Sequence, residues 1–316
     1  MKFKKLMILS FIFLSFLLIS CNKAEEPITE HEMPMEKLWG YKDLERFDNY
    51  RNLQSFYRKI DTYYSKANTS TENYHTYTIT KTGDFPQGDY GSIKGQNYTS
   101  FALTKFEAAA VVKIYSLDHP AYYWISDDIM INDSDVDLTL EGSYSKYEAR
   151  KNVKDKIDKY TSTLKAKITD DFSQYDIIKT IHDYILDTAV YDNNKSFEAY
   201  NIAGIMVDGK GVCEAYAKTF QYLAYQFDIE CILAVGTAKT SPTYTGSHAW
   251  NLVKLDGKWY GVDTTFDDSL NTREDFLLTS EDMLDNYFPS SDNSLDDAEY
   301  FTYILPEVSA DKYSCE

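Results

Sequence analysis

Ser247-His248-Ala249-Trp250-Asn251-Leu252-Val253-Lys254-Leu255, then Asp256-Gly257, then Lys258-Trp259-Tyr260-Gly261-Val262-Asp263 is the stretch on which the fold turns. Two alternating runs joined by Asp-Gly predict a β-hairpin, because both central residues of the tight turn need positive φ. With Asp256 and Gly257 as the turn, Trp250 pairs with Asp263 and His248 with Thr265. His248 and Asp263 are then diagonal neighbours on one face, about 7–8 Å apart at the backbone, a gap an imidazole and a carboxylate can bridge. A slip of one residue would send them to opposite faces.

Working outward, Asp208-Gly209-Lys210-Gly211 is turn material, followed at once by Val212-Cys213-Glu214-Ala215-Tyr216-Ala217. Tyr216, Phe220, Leu223, Ala224 and Phe227 then recur at helical spacing. This places Cys213 in the first turn of a helix, where unpaired backbone N–H groups and the helix dipole favour the thiolate. An isolated cysteine is more often a small apolar filler. Cys231, inside the apolar run Ile229-Glu230-Cys231-Ile232-Leu233-Ala234-Val235, has that character and is expected in the core.

Cysteine, histidine and aspartate in this chain order supply three roles. A thiolate attacks an acyl carbon; a histidine keeps the thiol ionised and later protonates the leaving group; a carboxylate fixes the ring's orientation. Taken singly, His248 could be an ordinary strand histidine and Asp263 a strand-end carboxylate. Their shared face and the helix-start cysteine favour the joint catalytic reading.

Gly211-Val212-Cys213-Glu214-Ala215-Tyr216-Ala217, Ser247-His248-Ala249-Trp250-Asn251 and Trp259-Tyr260-Gly261-Val262-Asp263-Thr264-Thr265-Phe266-Asp267 resemble the core motifs of the bacterial transglutaminase-like superfamily. Ile181-His182-Asp183-Tyr184-Ile185 and Tyr191-Asp192 resemble the stretch that precedes its cysteine motif. The resemblance covers roughly residues 170–270. It implies an α+β, papain-like fold with Cys213 at a helix N-terminus and His248 and Asp263 on an antiparallel β-hairpin. It also implies Cys213 as nucleophile, His248 as base and acid, and Asp263 as the orienting group. Members include cross-linking enzymes, peptidases and amide hydrolases, all passing through a thioester, so the resemblance leaves hydrolysis and transfer both open. The backbone N–H of Cys213 is one candidate oxyanion donor and Tyr191 a candidate second.

The N-terminus reads as an address. Lys2, Lys4 and Lys5 precede an apolar run from Leu6 to Ile19, short for a membrane span and suited to a secretory signal. Leu18-Ile19-Ser20-Cys21 resembles a bacterial lipobox, which implies lipidation at Cys21, export, and anchoring to the cell membrane. An ordinary signal peptide with an incidental cysteine is the alternative. Beyond Cys21 remain Cys213, Cys231 and Cys315, so at most one internal disulfide can form and one thiol is left over.

The expected division is a signal peptide over 1–20, a lipidated N-terminus and tether over 21–38, an N-terminal α/β region over 39–165, and a transglutaminase-like domain over 166–305. Helices are expected over 39–66, 105–117, 147–168 and 174–186, and strands over 74–79, 122–131 and 136–140. The 316 residues are 43% hydrophobic and 26% charged, enough apolar material for one large or two modest cores. A formal net charge of −18 opposes general nucleic-acid binding, which needs a basic face.

Other candidates carry less. His182 has no second histidine one turn away to pair with on zinc. Asp133, Asp135 and Asp137 alternate like a calcium loop, but Leu138 stands where glycine is needed, so a solvated turn is expected. Asp267 and Asp268 are expected as a solvated acidic loop or, alternatively, a cleft edge that favours basic substrates. His119, before Pro120, is expected as a turn residue. No cofactor is expected, and no phosphate-cradling glycine loop supports an acetyl-transfer reading. The chain therefore reads as an exported, lipid-anchored cysteine enzyme acting on amide bonds of a protein or peptide. The alternative is a non-catalytic surface-binding module that keeps the fold.

Overall fold

In a computed structural model, residues 32–314 are described apart from 74–75, 86–90, 94–95, 193–195, 242–243 and 291–301. Cys21, with the whole expected signal, and Cys315 lie outside the described residues.

The helices run α1 (Trp39–Asp43), α2 (Tyr50–Thr69), α3 (Lys105–Asp118), α4 (Tyr147–Lys165), α5 (Gln174–Thr188), α6 (Ile202–Asp208), α7 (Cys213–Tyr225), α8 (Thr264–Leu270) and α9 (Ser280–Leu284). A three-stranded antiparallel sheet joins β1 (Thr76–Thr80), β2 (Ile125–Ile131) and β3 (Asp135–Leu140), with β3 in the centre. The larger sheet holds β4 (Cys231–Ser241), β5 (Tyr244–Leu255), β6 (Lys258–Val262), β7 (Phe276–Leu278) and β8 (Tyr287–Pro289), in the order β7-β6-β5-β4-β8. Helices and strands are thus mixed, in an α+β arrangement.

The β5–β6 hairpin forms in the expected register, with Leu255 opposite Lys258 and Asn251 opposite Val262. Asp256 (φ 49°) and Gly257 (φ 82°) both take positive φ, as the tight turn requires. The ladder stops at Val262, however, and Thr265 lies in α8 rather than opposite His248. The cause is Asp263, whose carboxylate accepts the N–H groups of Thr265 and Phe266 and starts the helix. Asp263 is therefore an N-cap one residue past the hairpin rather than a strand residue on it.

Helix α7 is buried on most of its sides. Ala215, Tyr216, Phe220, Leu223 and Ala224 are all buried, which suits a helix enclosed in this way. Asn251 on β5 fastens it, its amide donating to the carbonyls of Ala217 and Ile232. At the far edge, Gly236 on β4 pairs with both His248 and Pro289. A Cβ there would lie 2.3 Å from the Phe288 carbonyl oxygen, so β8 reaches β4 only because position 236 is glycine.

The expected helix over 39–66 is broken: α1 and a short 3-10 turn end at Arg46, and α2 begins at Tyr50. The remaining helices, and the hairpin of β2 and β3 about Asn132–Asp135, fall where periodicity places them. Part of the expected tether is packed, since Met33 and Leu38 are buried. Trp39 makes an edge-on contact with Trp259, and Lys42 pairs with Glu230, so this segment lies against the larger sheet. At the other end, Val308 bridges to Trp259 and the Tyr303 hydroxyl donates to the Leu233 carbonyl.

Among the described residues no helix is long and apolar enough to cross a membrane. No group of three or more histidine, cysteine or acidic side chains there could hold a metal ion.

Candidate active site

Cys213 is the first residue of α7 and is partly exposed. His248 projects from β5, nearly buried, and its Nε2 donates to Asp263 Oδ2 at 2.6 Å. Cys213 lies close enough to the same imidazole for its side chain to help raise the His248 pKa. With Nε2 committed to Asp263, the other ring nitrogen is the one left for sulfur. The three residues named from the sequence are thus brought together, although Asp263 arrives by capping a helix rather than by strand pairing.

The electrostatics follow from that arrangement. Burial alone would pull the His248 pKa down. Hydrogen bonds to Asp263 and Cys213, and their charges, more than offset it and push the value up to about 10. The ring is flanked by Phe266, stacked at 4.4 Å between centroids, and by Trp250 at 6.2 Å. These aromatic walls fix the ring plane and exclude water from it.

Asp263 is 1% exposed and fully engaged. Its Oδ1 accepts two backbone N–H groups, and its Oδ2 accepts His248 and the Tyr287 hydroxyl, the latter at 3.1 Å. Tyr287 also lies 2.9 Å from Asp275 Oδ1. Neither Tyr287 nor Asp275 was singled out from the sequence, since both stand beyond the motifs with no periodic signal of their own.

Tyr191 lies close enough to Cys213 and Tyr200 for their charges to push its hydroxyl pKa up, after burial as the first cause. Its partly exposed ring keeps it available at the site. Cys231 is core as expected; burial pushes its thiol well up.

Asp267 departs from both sequence readings. Asp267 is completely buried and accepts His182 Nε2 at 3.0 Å, the Thr272 hydroxyl and the Asp275 N–H. Asp268 accepts the Tyr216 hydroxyl at 2.6 Å. The signal available was the helical spacing from Asp263 to Asp267, which turns Asp267 inward once α8 forms. His119 follows α3 directly and stacks on Tyr115 as a structural turn residue. Asp133 is exposed and pairs with Lys105, in keeping with a solvated turn.

Residues 159–264 match the family model of the transglutaminase-like superfamily. The chain carries a transglutaminase-like domain. The matched span of this transglutaminase-like domain includes Cys213, His248 and Asp263 and stops short of Asp267, Asp275 and Tyr287. The chain is 25% identical over 198 residues to the human kyphoscoliosis peptidase, covering 56% of this chain and 29% of that protein. It is 26% identical over 164 residues to the mouse kyphoscoliosis peptidase, covering 48% and 24% respectively. The matches thus span under a third of those curated relatives' length. A solved structure described as a TGase is similar at 16% identity and a TM-score of 0.33, covering 44% of this chain and 43% of that one.

Proposed function

We propose that the chain is an exported, lipid-anchored cysteine enzyme that cleaves amide bonds of a protein or peptide through a thioester. The observation that carries this reading is the position of His248, bonded to Asp263 and close enough to Cys213 for the two to influence each other's charge. The Cys213 thiolate attacks the carbonyl carbon. The C–N bond then breaks as His248 passes its proton to the departing nitrogen, leaving Cys213 acylated. Water, losing a proton to His248, releases the acid; an amine in its place completes a transfer. The Cys213 N–H at the helix start and the Tyr191 hydroxyl serve as donors to the oxyanion. The name of the curated relatives, peptidase, favours water as acceptor.

The test is labelling by a thiol-directed acyl probe. Wild type is expected to label at Cys213, and C213A to lose the label while keeping its melting temperature. Label that persists in C213A and maps to Cys231 would defeat the assignment, and a folded wild type that never labels would favour the binding-module alternative. Lipidation is tested separately. Cys21→Ser is expected to move the protein out of the membrane fraction, and unchanged membrane retention would reject the anchor.

A further inference from the structure

The Tyr287 hydroxyl stands between two carboxylates, 3.1 Å from Asp263 Oδ2 and 2.9 Å from Asp275 Oδ1. A phenol has one proton to donate, so it cannot serve both at once. Register explains how it gets there. Tyr287 pairs with Ala238 on β4, and His248 pairs with Gly236 two residues away, so all four positions lie on one face of the sheet. The two small residues on β4 leave a lane across which the Tyr287 ring reaches Asp263, with Trp250 alongside at 5.1 Å between centroids.

The geometry points to Tyr287 and Asp275 as positioning residues for Asp263, the single Tyr287 proton being divided between the two carboxylates according to the charge on Asp275. This deepens the proposed function and rests on it. When Asp275 is neutral it donates to the Tyr287 oxygen, and Tyr287 donates to Asp263, drawing charge away from His248. When Asp275 is ionised it competes for the Tyr287 proton, and Asp263 is left to hold His248 more strongly. A more strongly held imidazolium stabilises the Cys213 thiolate.

The environment suits such a switch. Burial, and the charges of Asp263, Asp267 and Glu274, push Asp275 up to about 6, against the opposing hydrogen bond from Tyr287. Burial and the same two flanking carboxylates drive the Tyr287 phenol far above its usual range, so it stays protonated. His248 faces Asp263 from β5, and His182 on α5 pairs with Asp267 from behind.

The experiment is the rate of iodoacetamide alkylation of the full chain between pH 5 and 8, with the adduct mapped to Cys213 and melting temperatures recorded. Wild type is expected to show a rise of about three- to tenfold through pH ~6, a fraction of what a hydrogen bond to a charged group is worth. D275N, neutral at every pH, should stay on the low plateau, and Y287F on the high one, neither showing the step. Opposite displacements of two conservative variants are not the signature of a structural role. An activated wild type whose step survives in both variants, or is lowered in both, overturns the inference alone. A wild-type Cys213 no more reactive than a free thiol overturns the proposed function and this inference with it. Should Y287F fail to fold, wild type and D275N decide the matter.

Discussion

Two buried histidine–aspartate pairs stand side by side in this molecule, and one of them lies beside the candidate nucleophile Cys213. His248–Asp263 closes at 2.6 Å and His182–Asp267 at 3.0 Å, with both partners of the second pair completely buried. The two aspartates lie one helical turn apart on α8. The difference lies in what else each ring has beside it. For His248 the neighbouring group is Cys213 at the start of α7, near enough to help raise its pKa. For His182 it is Asp183 at 3.4 Å, itself held by Lys179 and Arg273. The same pair of side chains is thus a candidate acid–base device in one place and a bolt between α5 and α8 in the other.

The largest expected difference is in reactivity. Asn is as good a helix cap as Asp, so D263N should keep α8 while removing the charge behind His248. Acyl-probe labelling of Cys213 is then expected to slow by about 10²–10⁴-fold, the usual worth of a positioned acid–base group. D267N, the matching change in the other pair, should leave the labelling rate of folded protein near wild type. Equal slowing in both would erase the distinction.

Stability should sort the pairs the other way. His182→Ala strands a buried carboxylate, and breaking such a pair by removing one partner costs about 3–5 kcal/mol. Denaturant titration should show that loss. H248A, which leaves Asp263 the donors of Thr265, Phe266 and Tyr287, should lose less.

A smaller effect separates the two duties of Asp263. D263A loses the cap as well as the charge and should be about 1 kcal/mol less stable than D263N. Matching denaturation midpoints for the two would show that the contacts to Thr265 and Phe266 contribute little.

The smallest effects are in pH dependence, and their signs differ. His248 is raised in the folded protein, so its contribution is complete below ~6.5 and is lost as pH climbs through about 10. Asp267 is lowered: burial opposes this, but hydrogen bonds from His182, the Asp275 N–H and Thr272 outweigh it. Its contribution is therefore present above ~3.9 and lost as pH falls through its depressed folded value. Melting temperature against pH should show the alkaline loss shrink in D263N and the acid loss shrink in D267N. Unchanged slopes in either variant would place the linkage elsewhere.

Most of the hairpin, the α7 start and the positions of Cys213 and His248 were legible because each is a local signal. Asp256-Gly257 dictates its own turn, and the apolar spacing after Cys213 dictates a helix. The break between α1 and α2 was not legible, since Leu44, Leu53, Phe56 and Ile60 keep a helical apolar period across it and all end up buried. Asp267 was misjudged for a related reason. As one of two adjacent acids it looked solvated, and only the turn of α8 shows which of the two points inward.

By itself the chain determined what neighbours in sequence can enforce: strand alternation, turn chemistry, helix starts and the order of the three candidate residues. Only the tertiary structure decided that Asp263 caps α8, that His182 locks to Asp267, and that Tyr287 crosses a lane of small residues to stand between Asp263 and Asp275. Those meetings join positions many residues apart, and their geometry is fixed by how the elements pack, which no local periodicity encodes.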